Sequence, residues 1–488
     1  MSGMAATTVG AVATSVFGDA IRQSAQGSVP GSGANVLVVV SLRGGIDGLG
    51  MVVPHGDPGY YTARPNIGLA KSSLLSADAM FGLHPKLAPL QWLWNSGEMA
   101  AVHAVGLPVP NRSHFAAIET IEDADPTSSL RRGWVNRMVG LDTRTAPSEA
   151  VHVTGTIAPT MLSGSSPTLS AAGLKNIVLV GADKTDLGTR RRMELSRMWS
   201  ASSTTTLQEA YQSAVRSVDL LAPVTSTTYT PSVTYPKIWP AADLADAMKD
   251  TASLIKADLG TDVISIDFGS WDMHTDYGVA SSGRMSSMVA GFAGVLDAFM
   301  RDLGDLRSRV TLVTISEFGR RIAENGSRGL DHGWGNAMLV VGGGVKGGRY
   351  YGTWPGLGTG SRLDDDLQVT TDYRNVLGEI LASRFPDRSL STVFPGFTYS
   401  PVGFMATTTG PASAVSQEAP AATVAPSPMA SSPSAGPSTT PSPVSPSTTV
   451  SVSATPKPTP KPKPKPKAKP KAKRRKKKKK KAHHKAHH

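Results

Sequence analysis

A length of 488 residues allows two or three domains, and the formal net charge of +13 is not shared among them. Residues 457–488 carry 17 Lys and Arg and no acid, which leaves 33 basic against 37 acidic residues, a net of −4, over the rest. The chain has no cysteine, which excludes a disulfide framework, an iron–sulfur cluster, a thiolate zinc site and a cysteine nucleophile; any metal must be held by His, Asp or Glu.

From the N-terminus, residues 4–17 are small, apolar and uncharged, and the first cation is Arg22. Two readings of residues 1–33 stand side by side. One is a mobile arm. The other is the apolar part of an export leader whose basic, twin-arginine part was lost upstream of the assigned start, which would place the protein outside the cytoplasm; otherwise it is cytoplasmic. No apolar run reaches the ~18 residues needed to span a bilayer.

Residues 34–42 form a continuous β-branched run, expected as a buried parallel strand. Shorter runs at 100–105, 176–180, 263–267, 310–315 and 337–341 predict further strands, and helical spacing recurs at 87–97, 241–259 and 285–306. A long helical stretch, 190–221, is interrupted by the Ser/Thr cluster at 202–206. Strand and helix alternate at the spacing of an α/β fold: a doubly wound, mostly parallel sheet flanked by helices, over residues 34–405. Residues 406–455 read as a disordered Ser/Thr/Pro-rich linker, because they cannot bury enough surface to offset chain entropy. Residues 456–488 are a polybasic Lys/Pro/His tail, extended by its Lys-Pro repeats and suited to a polyanion: an envelope polymer, a membrane surface or a nucleic acid.

Ligands of open α/β sheets lie beyond the carboxyl ends of the strands. The first strand runs into Arg43-Gly-Gly-Ile-Asp47, the 263–267 strand into Trp271-Asp-Met-His274, and the 310–315 strand into Ser316-Glu-Phe-Gly-Arg320. Asp331-His332 stands just before the 337–341 strand. Taken singly these are ordinary turns and ion pairs. Taken together they offer hard oxygens and imidazoles suited to Zn, Mn, Mg or Ca. Ser113, in Asn111-Arg-Ser-His-Phe115, is expected at the start of a helix. It stands there either as a nucleophile beside anion-binding N–H groups or as a helix cap.

These motifs, with Leu83-His-Pro85, Gly133-Trp134, Gly342-Gly-Gly-Val-Lys-Gly-Gly348 and Thr371-Asp-Tyr-Arg374, occur in one order along the chain. As an ordered set over about residues 35–383, they resemble the bacterial domain-of-unknown-function family 1501, grouped with the alkaline phosphatases and sulfatases. The resemblance implies a two-metal hydrolase scaffold. It implies Asp47 as the first-strand metal aspartate and Ser113 at the nucleophile position. Asp272, His274 and His332 would be ligands of one metal. Glu317-Phe318 stands where phosphatases place Asp-His, so one imidazole is missing. The expectation is one tight ion on Asp272, His274 and His332. A second, weak and magnesium- or calcium-like or else absent, would rest on the oxygens of Asp47, Glu317, Asp331 and Ser113, with Arg320 opposing another cation by charge. Arg112 and Arg320 are expected to help hold an anionic ester, a phosphate or a sulfate. Against this hydrolase stand a non-catalytic protein on the same scaffold that binds an anionic envelope polymer, and a protein whose function lies in its tail.

Overall fold

The computed structural model describes residues 34–125, 130–141, 146–178, 186–199 and 206–407. The N-terminal segment through residue 33, the 408–455 part of the linker and the polybasic tail lie outside them, as do residues 179–180 of one expected strand. Among the described residues no helix is long and apolar enough to cross a membrane.

Nine strands form one sheet: β1 (Val36–Leu42), β2 (Met99–Gly106), β3 (Ala150–His152), β4 (Leu169–Ser170), β5 (Val263–Phe268), β6 (Val310–Ile315), β7 (Asn336–Gly342), β8 (Tyr350–Tyr351) and β9 (Thr371–Asp372). Their order is β8-β2-β7-β6-β1-β5-β3-β4, and β9 also pairs with β2. The β-branched run of β1 lies at the centre, parallel to β5 through Val38↔Ile264 and to β6 through Val38↔Leu312. Every residue of β1 is buried, and alternate residues enter two cores. Val36, Val38 and Val40 join one apolar cluster, Leu37 and Val39 the other. That two-sided burial is why the run shows no polar alternation. Each such side chain contributes on the order of 1.5–3 kcal/mol.

Helices cover both faces. On one side lie α2 (Ala242–Ala257) and α3 (Arg284–Leu303), the latter burying Met285, Met288, Phe292, Leu296, Phe299 and Leu303 at helical spacing. On the other lie α1 (His114–Asp123), through Ala117 and Ile121, and α4 (Tyr373–Arg384), through Val376, Leu377, Ile380 and Leu381. The mixed, mostly parallel sheet between helical layers agrees with the expected fold class.

Two details depart from expectation. The first half of the 176–180 run forms no strand. Leu174–Asn176 is a single 3-10 turn whose Leu174 N–H donates to Asp250 Oδ2 at 2.9 Å, and the edge is filled by the short β3 and β4. More important, β7 runs antiparallel to both neighbours, β6 and β2. The residues that precede a parallel strand lie at the opposite edge of a sheet from the residues that follow one. Because β7 is reversed, Asp331-His332 before it arrives at the same edge as the residues that follow β1, β2, β5 and β6.

Candidate metal centre at the carboxyl edge

The turn after β1 ties this edge together. Gly44 has φ +111, and a Cβ there would stand 2.6 Å from the Asp272 backbone nitrogen, so glycine is required both by the dihedral and by the close approach. Its N–H donates to Glu317 Oε1 at 2.8 Å and its carbonyl accepts from Arg320. The loop after β5 is stitched to the segment before β7. Leu330 N–H donates to the Met273 carbonyl at 2.9 Å and Asn325 Nδ2 to the His274 carbonyl at 3.0 Å. Gly319 and Arg321 pair with Trp334 and Asp331, which carries His332 back over the sheet edge. From β2, bulged between His103 and Val105, the chain leaves through the 107–113 loop into α1, whose first residue is His114.

Three imidazoles and one carboxylate meet there. His114 Nδ1 lies 2.7 Å from Glu317 Oε1, His274 Nδ1 2.8 Å from Asp331 Oδ1, and His332 Nδ1 2.9 Å from the Arg112 carbonyl. Carboxylates and carbonyls only accept, so each Nδ1 carries a hydrogen, and Nε2 is the atom that each ring turns toward Asp272. His274 Nε2 and His332 Nε2 are 3.1 Å apart. Asp272 Oδ1 lies 3.0 Å from the former and 3.3 Å from the latter, and Asp272 Oδ2 lies 3.6 Å from His114 Nε2. The ligand atoms of His114, Asp272 and His332 all fall within 4.8 Å of one another. His114 Nε2 is buried with no hydrogen-bond partner. Phe318 packs at 4.8 Å against the rings of both His114 and His332 and fixes their spacing.

The surroundings favour the neutral imidazole at His332 and the ionised carboxylate at Asp272 and Asp331. Burial pushes the His332 imidazole down, and the nearby Arg320 and His114 add to this. Burial pushes Asp272 up, but the Arg320 guanidinium outweighs it and holds the carboxyl below the usual range. Asp331 is held low by its hydrogen bonds to His274 and Asn325. Electron-rich nitrogens facing one another and a carboxylate repel unless a cation lies between them. The donor set therefore fits a divalent ion, and a carboxylate or carbonyl behind each imidazole is the arrangement that orients metal-binding histidines.

Several expected site residues fall elsewhere. Asp47 is not free to bind metal. It is buried, Arg64 donates to it at 2.6 and 2.9 Å, and Tyr277 Oη donates at 2.5 Å. Glu317 and Asp331 sit behind His114 and His274 rather than facing the centre. Arg320 is not available to an anion. Its side chain is 1% exposed, and it donates to the carbonyls of Gly44, Gly45 and Leu330 and to Asp272 Oδ1. Arg112 is committed to the buried Asp366. Ser113 is the residue preceding α1, exposed, and its side chain makes no capping bond. The structure brings together Asp272, His274 and His332 as expected and adds His114. The imidazole that seemed missing after β6 comes instead from the start of α1. His114 lies inside the Asn111–Phe115 motif and is one of only seven histidines outside the tail, but a serine at a helix start is the stronger signal in that motif.

Fold and site define a mixed α/β domain with a His₃Asp cluster at the carboxyl edge of its sheet. A family profile described as "Protein of unknown function (DUF1501)" matches residues 34–374, and the chain belongs to that family. A search among curated proteins gives no match. Among solved structures the chain is similar to a sulfatase from Pseudoalteromonas sp., at 11% identity and a TM-score of 0.29 over 65% of this chain and 64% of that one. It is similar to a periplasmic domain from Escherichia coli in complex with Zn, at 9% identity and a TM-score of 0.29 over 66% and 75%. A third likeness is to an alkaline phosphatase superfamily protein of Vibrio parahaemolyticus, at 10% identity and a TM-score of 0.30 over 66% and 63%. The chain spans less than two thirds of the length of the first and third of these. The likenesses are remote, and the chemistry of the site rests on this chain's own geometry.

Proposed function

We propose that the protein is a divalent-metal-dependent hydrolase of anionic esters, phosphate or sulfate, with the ion held by His114, His274, His332 and Asp272. One observation carries the reading. All three Nδ1 atoms are committed to oxygens that only accept, while the three Nε2 atoms converge on Asp272 at 3.0 to 3.6 Å and those of His274 and His332 stand 3.1 Å apart. A bound ion at such a position supplies Lewis-acid polarisation of the reacting group.

The chain's own residues supply the rest. Glu317, Asp331 and the Arg112 carbonyl hold the protons at Nδ1, which keeps the three rings turned with Nε2 toward Asp272. Ser113, adjoining His114 in the chain, presents an exposed hydroxyl that caps nothing and is the candidate nucleophile. The first-turn N–H groups of α1 lack a side-chain cap and point toward incoming negative charge. With Arg112 and Arg320 both committed, the hold on an anion falls to the ion and this helix start. Phe115, 85% exposed beside His114, gives the leaving group an apolar surface.

Elemental analysis of the purified full chain, followed by titration with Zn, Mn, Mg and Ca and a panel of phosphate and sulfate esters, tests the reading. A stoichiometric ion and ester turnover lost on Ser113→Ala are expected. A chain that contains no stoichiometric metal and acquires none would reduce the cluster to a network of structural ion pairs.

A further inference from the structure

We infer that Arg320 is a built-in counter-cation that limits this centre to a single divalent ion. The inference rests on the metal reading above. Two observations point to it, one of charge and one of donors.

Arg320 is fixed. Its guanidinium donates to the carbonyls of Gly45 at 2.5 Å and Leu330 at 3.0 Å, and to that of Gly44. It reaches three backbone carbonyls drawn from two different loops, and a side chain that swung away would leave all three unpaired in a buried place. From that anchorage it stands 2.6 Å from Asp272 Oδ1. The carboxylate that would most readily bridge two metals already shares one oxygen with a permanent positive charge. Around the centre Asp272 pairs with Arg320, Arg321 acts on Asp331 and Arg43 on Glu317 from further off, and Asp47 is cancelled by Arg64. A second divalent ion on Asp272 would have to stand close to this fixed guanidinium, positive charge against positive charge.

The donors agree. Both oxygens of Asp47 are taken by Arg64, and Tyr277 adds to one of them. Glu317 Oε1 accepts from Gly44 N–H and faces His114, while Oε2 accepts from Ser316. Glu122 and Asp267 both pair with Arg43. What is left facing the centre is one set: the three Nε2 atoms and Asp272. A second ion would have to be built on the outer oxygen of Asp331 and on water, with no imidazole to hold it.

The test is metal stoichiometry on the full chain, by equilibrium dialysis with Zn and separately with Mn, and by the Mn electron paramagnetic resonance spectrum. Wild type is expected to hold one equivalent of either ion, with the spectrum of an isolated Mn ion. Arg320→Met, which keeps the stem and removes the charge, is expected to admit a second equivalent or to tighten the first at least tenfold. Arg320→Lys keeps the charge and is expected to stay at one; it decides the matter if the Met variant does not fold. Two equivalents, or an exchange-coupled Mn pair, in wild type would overturn the inference and leave the hydrolase reading intact. So would an Arg320→Met protein that binds as wild type does. Loss of the ion from Arg320→Met but not from Arg320→Lys would make Arg320 only a support for Asp272, which also overturns it. No ion at all in wild type would remove the metal reading itself.

Discussion

Two aspartates stand at the same edge of the sheet, each in the loop that follows a central strand, and they have opposite fates. Asp47, after β1, is buried and closed. Three donors from Arg64 and Tyr277 use both its oxygens, and Arg64 continues to the carbonyls of Ile322 and Arg321. Asp272, after β5, has a side chain 44% exposed, one fixed guanidinium partner and imidazoles that face it with lone pairs. The polar groups around Asp47 are satisfied by one another, so the cluster is complete as it stands. Those around Asp272 become complete only with a cation. A charged cluster that closes on itself holds a fold together; one left open toward solvent is where a ligand belongs.

The sharpest contrast is in metal binding. Asp272→Ala is expected to abolish stoichiometric binding in a protein that remains folded. Structural zinc binding is worth about 10–16 kcal/mol over four ligands, about 2.5–4 kcal/mol each, so removing one weakens the affinity roughly a hundredfold to a thousandfold. Isothermal titration with Zn measures it. Asp47→Ala is expected to do the reverse. It leaves the Arg64 guanidinium buried without its carboxylate, a loss of about 3–5 kcal/mol of stability, while the folded fraction binds Zn as wild type does. Denaturant unfolding read beside the titration would break the comparison if Asp47→Ala lost the ion at unchanged stability.

A smaller effect separates the residues behind the imidazoles from those in front of them. Glu317→Gln keeps the shape at His114 but replaces a carboxylate with an amide, and Asp331→Asn does the same at His274. Removing such orienting partners typically costs 10–100-fold in metal affinity. Each variant should therefore bind Zn in the wild-type ratio but more weakly. A changed ratio would return Glu317 or Asp331 to the role of direct ligand.

Much of this was legible in the sequence, for physical reasons that also explain the rest. β1 and β6 lie where the apolar runs put them, because a central strand buried on both faces has no choice of composition. The strands β3 and β4 are three and two residues long and leave no pattern to find. Asp272, His274 and His332 were legible because each lies against a strand end, the place where α/β sheets expose side chains. His114 was not, because its arrival depends on the path of the 107–113 loop; His332, which precedes its strand, shares the edge only because β7 is reversed. Nor could composition tell that Asp47 would find Arg64, 17 residues on and drawn in by α/β packing rather than by any local motif. What a side chain touches at long range is decided by tertiary structure, and a carboxylate's role is decided by what it touches.

The smallest expected effect lies furthest from the centre. Asp366 is fully buried, and its Oδ2 accepts from Arg112 Nε at 2.7 Å and from a second Arg112 nitrogen. Burial pushes this carboxyl up, against the lowering pull of Arg112. Arg112 in turn offers its backbone carbonyl, not its side chain, to His332 Nδ1 at 2.9 Å. Asp366 thus acts on the metal centre only through the path of the chain at Arg112. Asp366→Asn keeps one acceptor for the guanidinium and gives up its charge, so the carbonyl shifts little and His332 loses orientation rather than its partner. The expected result is a loss of Zn affinity below the ~10-fold lower end seen for directly orienting groups. Glu317→Gln, measured beside it, sets the scale. Ring-proton spectra of the zinc-loaded protein should show the change confined to His332, with His114 and His274 as in wild type. Equal disturbance of all three rings would mean that Asp366 supports the loop as a whole, and the path through Arg112 would then carry no special meaning.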